Sequence, residues 1–261
     1  MIFTTTNCTK SFSRYLAGYL DEKTTYIKTV NPSDGSVYPR LCENLYIQGK
    51  VMNTNQFEMR IHNQRIAWVG PIIEQWGLIH KNFLEQEQYN DCLYWYNERA
   101  NVSVFSGAVW KSGGVALEEY SSQKGNIDNT VNGRVDLYFS KQTERAIAEA
   151  KMEWLYFGER ARSDLKEKIN SVVEKAKNDL KESLGPSNYN LGVGLSFIAP
   201  YWRKGYDGSH DMQALRMLMR SYDCAFYAIF ESSHDVISTK GNICNAIVLI
   251  GTMHIKSENI Q

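Results

Sequence analysis

The chain has 261 residues, of which 43% are hydrophobic and 22% charged, and its lysines and arginines equal its acids, giving a net charge of zero. That balance excludes a coat protein held on nucleic acid by bulk charge, but it allows an enzyme with a local basic cleft. Five scattered cysteines with no Cys-x-x-Cys pair argue against a disulfide framework, and no His-Glu-x-x-His pattern suggests a zinc site.

The opening Met-Ile-Phe-Thr lacks the basic-then-apolar profile of a signal peptide. The longest aliphatic run, 246–250, is far too short to span a bilayer, so the expected location is cytoplasmic, with no membrane partner. Residues 1–80 are rich in Thr, Asn and Tyr and read as an N-terminal extension or small subdomain. Short strands are expected near 26–30, 45–47 and 65–69, with a turn at Asn31-Pro32-Ser33-Asp34-Gly35. Residues 81–261 read as the main α/β core.

From Ile72 the spacing turns helical through Phe83, Leu84, Tyr89 and Leu93. The following stretch places Val102, Phe105, Ala108 and Val109 on one helical stripe, which Gly113-Gly114 breaks. Residues 115–120 read as a short second helix bearing Glu118 and Glu119, and 125–133 as a polar loop.

Val135, Leu137 and Phe139 then alternate with Asp136, Tyr138 and Ser140, the period of a strand. A second run puts Ile147, Glu149 and Lys151 on one face and Ala146, Ala148 and Ala150 on the other. A hairpin folded about Gln142 and Thr143 sets Asp136 opposite Glu149, roughly 5 Å apart, with Lys151 further along the same face. Two carboxylates held so close repel unless a cation lies between them. Mg²⁺ suits such a site, since it takes one or two carboxylates and completes its shell with water and phosphate. The chemistry this points to is metal-assisted phosphodiester hydrolysis. Exposed strands also carry Glu and Lys as solvated charges, so the hairpin alone leaves both readings open.

Asp136, twelve residues, then Glu149-Ala150-Lys151 across a hairpin resembles the core of the PD-(D/E)XK, restriction-endonuclease-like nucleases, with Val135 in place of the name-giving proline. The resemblance implies that Asp136 and Glu149 bind Mg²⁺ (or Mn²⁺) and that Lys151 is the catalytic lysine. A helix ahead of the Asp strand often adds an acid to such sites. Glu98 is the choice for that third catalytic and metal-binding acid, with Glu119 second. The implied partner is nucleic acid, DNA before RNA, with a possible homodimer.

Residues 159–184 give the clearest helix, with Leu165, Ile169, Val172, Val173, Ala176, Leu180 and Leu184 on one face and Gly185-Pro186 at its end. Residues 189–199 read as a buried strand whose Gly192 and Gly194 serve close packing. Pro200-Tyr201-Trp202-Arg203-Lys204-Gly205-Tyr206 reads as an aromatic and basic loop, a composition that suits base stacking or the cover of a core edge. A helix at 211–221 and strands at 224–230 and 246–255 complete the chain.

The expected fold is α/β (α+β), a mixed central sheet flanked by helices. The leading function is a Mg²⁺-dependent nuclease. The alternative is a catalytically inactive nuclease-like fold acting as a binding or assembly module, for which six tryptophans and sixteen tyrosines also supply a surface.

Overall fold

A computed structural model describes residues 26–30, 37–41, 52–54, 56–126, 129–158 and 164–256. The chain divides into two compact units, Met1–Ile47 and Gln48–Gln261. In the first, β1 (Tyr26–Val30) pairs antiparallel with β2 (Val37–Leu41). The expected strand at 45–47 lies outside the described residues.

The second unit is a mixed α/β fold. Its strands are β3 (Met52–Thr54), β4 (Phe57–Ile61), β5 (Val115–Asn126), β6 (Asn129–Lys141), β7 (Glu144–Tyr156), β8 (Leu191–Arg203), β9 (Phe226–Glu231), β10 (Asn242–Ile243) and β11 (Ala246–Ile255). Among the described residues they form one sheet in the order β3-β4-β9-β11-β8-β7-β6-β5, with β10 added to β8. Every pairing is antiparallel except β7 with β8. A parallel pair needs a crossover, and α3 (Leu165–Leu184) supplies it.

Helices cover both faces. On one lie α1 (Gly70–Gln86) and α2 (Glu98–Lys111), whose Ile72, Trp76 and Phe105 join Phe139, Ala148 and Phe197 of the sheet. On the other lie α3 and α4 (Ser209–Arg220), whose Ile169, Val173 and Leu215 pack with Ile198, Ile229 and Val248. Covered on both faces, β8 reads as one apolar run instead of an alternation. Gly192 and Gly194 do serve close packing: a Cβ on Gly192 would come within 2.7 Å of Leu180, and one on Gly194 within 2.7 Å of Thr252.

Four expectations are corrected. Gln64–Val69 is a 3₁₀ helix, not a strand, because the Asn63 side chain accepts the Arg65 N–H and a Pro follows at the start of α1. The expected boundary at residue 80 falls inside α1, and β4 is an integral strand of the main sheet, so the extension does not run that far. Residues 115–120 are strand, and with 125–126 and 129–133 they belong to the β5–β6 pair, not to a helix and a loop. Ala116 faces inward there while Val115 and Leu117 are exposed, the reverse of the hydropathy rule. Finally, Pro200 to Arg203 continue β8 and are not a loop.

Candidate active site

The hairpin forms in the expected register. Lys141 pairs with Glu144 across Gln142 and Thr143, and the ladder runs to Leu137 opposite Ala148, which aligns Asp136 with Glu149. There β6 and β7 part. β6 stays with β5, while β7 stays with β8 as far as Tyr156 opposite Tyr201.

Parting leaves the outward N–H groups of β7 without a strand carbonyl, and buried donors need acceptors. Two acids supply them. Oδ2 of Asp136 accepts the N–H of Ala150 at 2.7 Å, and Oε2 of Glu98 accepts that of Met152 at 3.1 Å. Glu98 is brought there as the first residue of α2, whose start is fixed by the Asn97 side chain accepting the Ala100 N–H. The buried Asn101 adds a bond from its side-chain amide to the Asn97 carbonyl and a contact to the Met152 sulfur. Oδ1 of Asp136 and Oε1 of Glu98 form no hydrogen bond among the described residues. Both acids line one cleft, shared with Arg99, Glu118, Glu119 and Arg134.

The other two expected residues engage α3 and β5. Glu149 is buried, and its Oε1 receives a hydrogen bond from the Ser183 hydroxyl and an ion pair from Lys124 Nζ at 2.9 Å. Burial, and then the charge of Asp136, raise its carboxyl to about 7 despite Lys124 and Ser183. Lys151 Nζ lies 2.6 Å from Oδ2 of Asp179 and 2.9 Å from the Ala150 carbonyl. Burial pulls the Lys151 ammonium down, but Asp179, Glu98 and Asp136 outweigh it and hold the group above the ordinary lysine value. Glu98 is raised by burial first and by Asp136, against the pull of Lys151.

Asp136, Glu98, Glu149 and Lys151 thus share one electrostatic neighbourhood. Glu119, the second choice, is instead an ion-pair bridge, 2.6 Å from Arg99 and 2.8 Å from Arg134. Among the described residues no group of three or more His, Cys, Asp or Glu side chains is set to hold a metal ion, and Oε1 of Glu149 is taken up by both Lys124 and Ser183. The donor chemistry of the cleft nevertheless fits a hard cation. Asp136 and Glu98 each keep one oxygen in reserve, and Mg²⁺ commonly takes only one or two carboxylates.

Lys124, Asp179 and Ser183 are absent from the sequence reading. Lys124 falls between the expected helix at 115–120 and the expected loop at 125–133, on what is strand β5. Ser183 had a signal, since it interrupts the apolar stripe of α3 between Leu180 and Leu184 and is fully buried. The chain matches no family model, no curated protein and no solved structure.

Proposed function

We propose that the chain is a metal-dependent phosphodiester hydrolase with a restriction-endonuclease-like core, acting on nucleic acid with Mg²⁺ or Mn²⁺. One observation carries the reading: β6 leaves β7 at the Asp136–Glu149 step, and acids from two elements gather on the freed edge beside Lys151. The element order α2, β5, β6, β7, α3, β8, with β7 and β8 parallel, is in keeping with that core.

In this reading Asp136 and Glu98 would hold the ion through their free oxygens, and Glu149 would join once Lys124 is displaced. A divalent ion supplies Lewis acidity toward a phosphate oxygen and an attacking water. Lys151 is kept protonated, so it stabilises negative charge building on the phosphate and does not act as the base. Asp179 orients it. The two N–H bonds fix Asp136 and Glu98 before substrate arrives, which is the preorganisation electrostatic catalysis needs.

A binding or assembly module is the second reading, favoured by the internal pairing of Glu149 with Lys124 and of Lys151 with Asp179. Calorimetric titration of Mn²⁺ separates the two. Asp136→Asn preserves the acceptor for Ala150 and removes only the charge. Binding in the wild type that disappears in this variant, followed by Mg²⁺-dependent cutting of oligonucleotides, supports the hydrolase. A folded wild type that neither binds Mn²⁺ nor cuts supports the module.

A further inference from the structure

Beyond the two acids, the freed edge of β7 continues. The N–H of Phe157 donates to the Tyr201 carbonyl on the β8 side. Strand alternation therefore turns the N–H groups of Trp154 and Tyr156 outward, in line with those met by Asp136 and Glu98. No strand pairs there among the described residues. Trp154 and Tyr156 are 41% and 39% exposed, unusual for large rings on a sheet. They lie on the α2 side, the face of Met152, as does Tyr201 across the β7–β8 register. Tyr201 joins the strip to Trp95: its ring centroid is 5.4 Å from that of Tyr156 and 5.9 Å from that of Trp95. Two residues on, the exposed Arg203 follows on the same face, with no ion pair among the described residues.

We propose that this strip is the binding track for a single-stranded nucleic acid, its bases stacked on Trp154, Tyr156 and Tyr201 and a phosphate held by Arg203, leading the strand to the acids at Glu98 and Asp136. The choice of nucleic acid rests on the hydrolase reading. The single strand is argued from the strip itself, because stacked bases of a duplex cannot reach rings on a sheet face, whereas unpaired bases stack on aromatic side chains without regard to sequence. A cation beside the rings fits a polyanion better than an apolar partner does.

The test is fluorescence anisotropy of a labelled oligothymidylate with the full chain in EDTA, so that binding is read without cleavage. Trp154→Ala combined with Tyr156→Ala should weaken binding at least tenfold, and Trp154→Phe with Tyr156→Phe should restore most of it. Trp110→Ala, which removes a tryptophan 56% exposed on α2, should leave it within twofold. A blunt duplex of equal length should bind more weakly. The inference is overturned if the wild type does not bind, if the duplex binds as well, or if the alanine pair binds like the wild type. It is equally overturned if the pair abolishes self-association with no oligonucleotide binding, since that assigns the edge to a second copy. Tight binding without cleavage under any divalent ion would sink the hydrolase reading and leave the track standing.

Discussion

Lys124 places its ammonium 2.9 Å from the buried Oε1 of Glu149, so the outermost strand of the sheet supplies the counter-charge for an acid two strands away. The Ser183 hydroxyl donates to the same oxygen from α3. Neither donor overcomes burial and Asp136, which hold the carboxyl near 7. A group raised in the folded state stabilises it fully below the unfolded value and loses that contribution as pH climbs through the folded one.

Glu149→Gln, neutral at every pH, should therefore match the wild type near pH 4.5 in EDTA and pull ahead of it as pH rises toward 7. The gap should reach about 3 kcal/mol and then level off. Urea unfolding at several pH values reads this directly. A gap that shrinks with pH would mean that the charged form is the stable one, held by Lys124.

Asp136→Asn and Lys151→Ala should each lower Mg²⁺-dependent cleavage by a factor of about 100 or more, the scale of losing one preorganised charge. Circular dichroism should be unchanged in Asp136→Asn. Asp136→Ala should also lose about 1–3 kcal/mol of stability, because the Ala150 N–H is left without its acceptor. Equal stability of the Asn and Ala variants would contradict the bond.

His80 sits fully buried among Trp76, Tyr94 and Phe230, and neither ring nitrogen has a hydrogen bond among the described residues. Burial lowers its imidazole to about 3. A depressed histidine favours the folded state above the unfolded value near 6.5 and withdraws that support as pH falls. His80→Phe keeps the ring and removes the unmet nitrogens, so it should stabilise by about 1 kcal/mol at pH 7. By pH 5 the advantage should grow by about 2 kcal/mol. Guanidinium midpoints at the two pH values check both numbers.

Glu58 on β4 is buried beneath α4, which contributes Arg220 at 3.0 Å to both oxygens and Arg216 at 3.3 Å, while the Tyr227 hydroxyl donates at 2.9 Å. Burial would raise this carboxyl, yet Arg220, Tyr227 and Arg216 together hold it below the ordinary value. Glu58→Ala should cost about 3 kcal/mol, since it strips a buried hub and leaves several donors unmatched. A thermal melt is enough to see it, and a loss under 1 kcal/mol would show that water replaces the carboxylate.

Much of the fold can be read from local pattern. The hairpin register about Gln142 and Thr143, the crossover helix ending at Leu184 and the strand Ala246–Ile255 each follow from residues within one element. Strand β5 does not, because its aliphatic residues Val115 and Leu117 face outward while the small Ala116 between them faces in. Of the candidate site, the grouping of Asp136, Glu149 and Lys151 on one hairpin follows from spacing, and Glu98 stands at a helix start as expected. The parting of β6 from β7 leaves no mark, since the alternation runs unbroken through Asp136. Lys124 and Asp179 approach from other elements, so their partners are fixed only by tertiary structure.

At Asp136 and Glu98 the acids do a neighbouring strand's work for Ala150 and Met152. On the proposed hydrolase reading, reactivity and architecture are thereby written into the same atoms, and they can be lost separately. In a descendant chain freed from chemistry, the charge is dispensable but the acceptor is not. Asparagine at 136 or glutamine at 98 would then be the signature of a silent copy, and an aliphatic residue there would require a rebuilt edge.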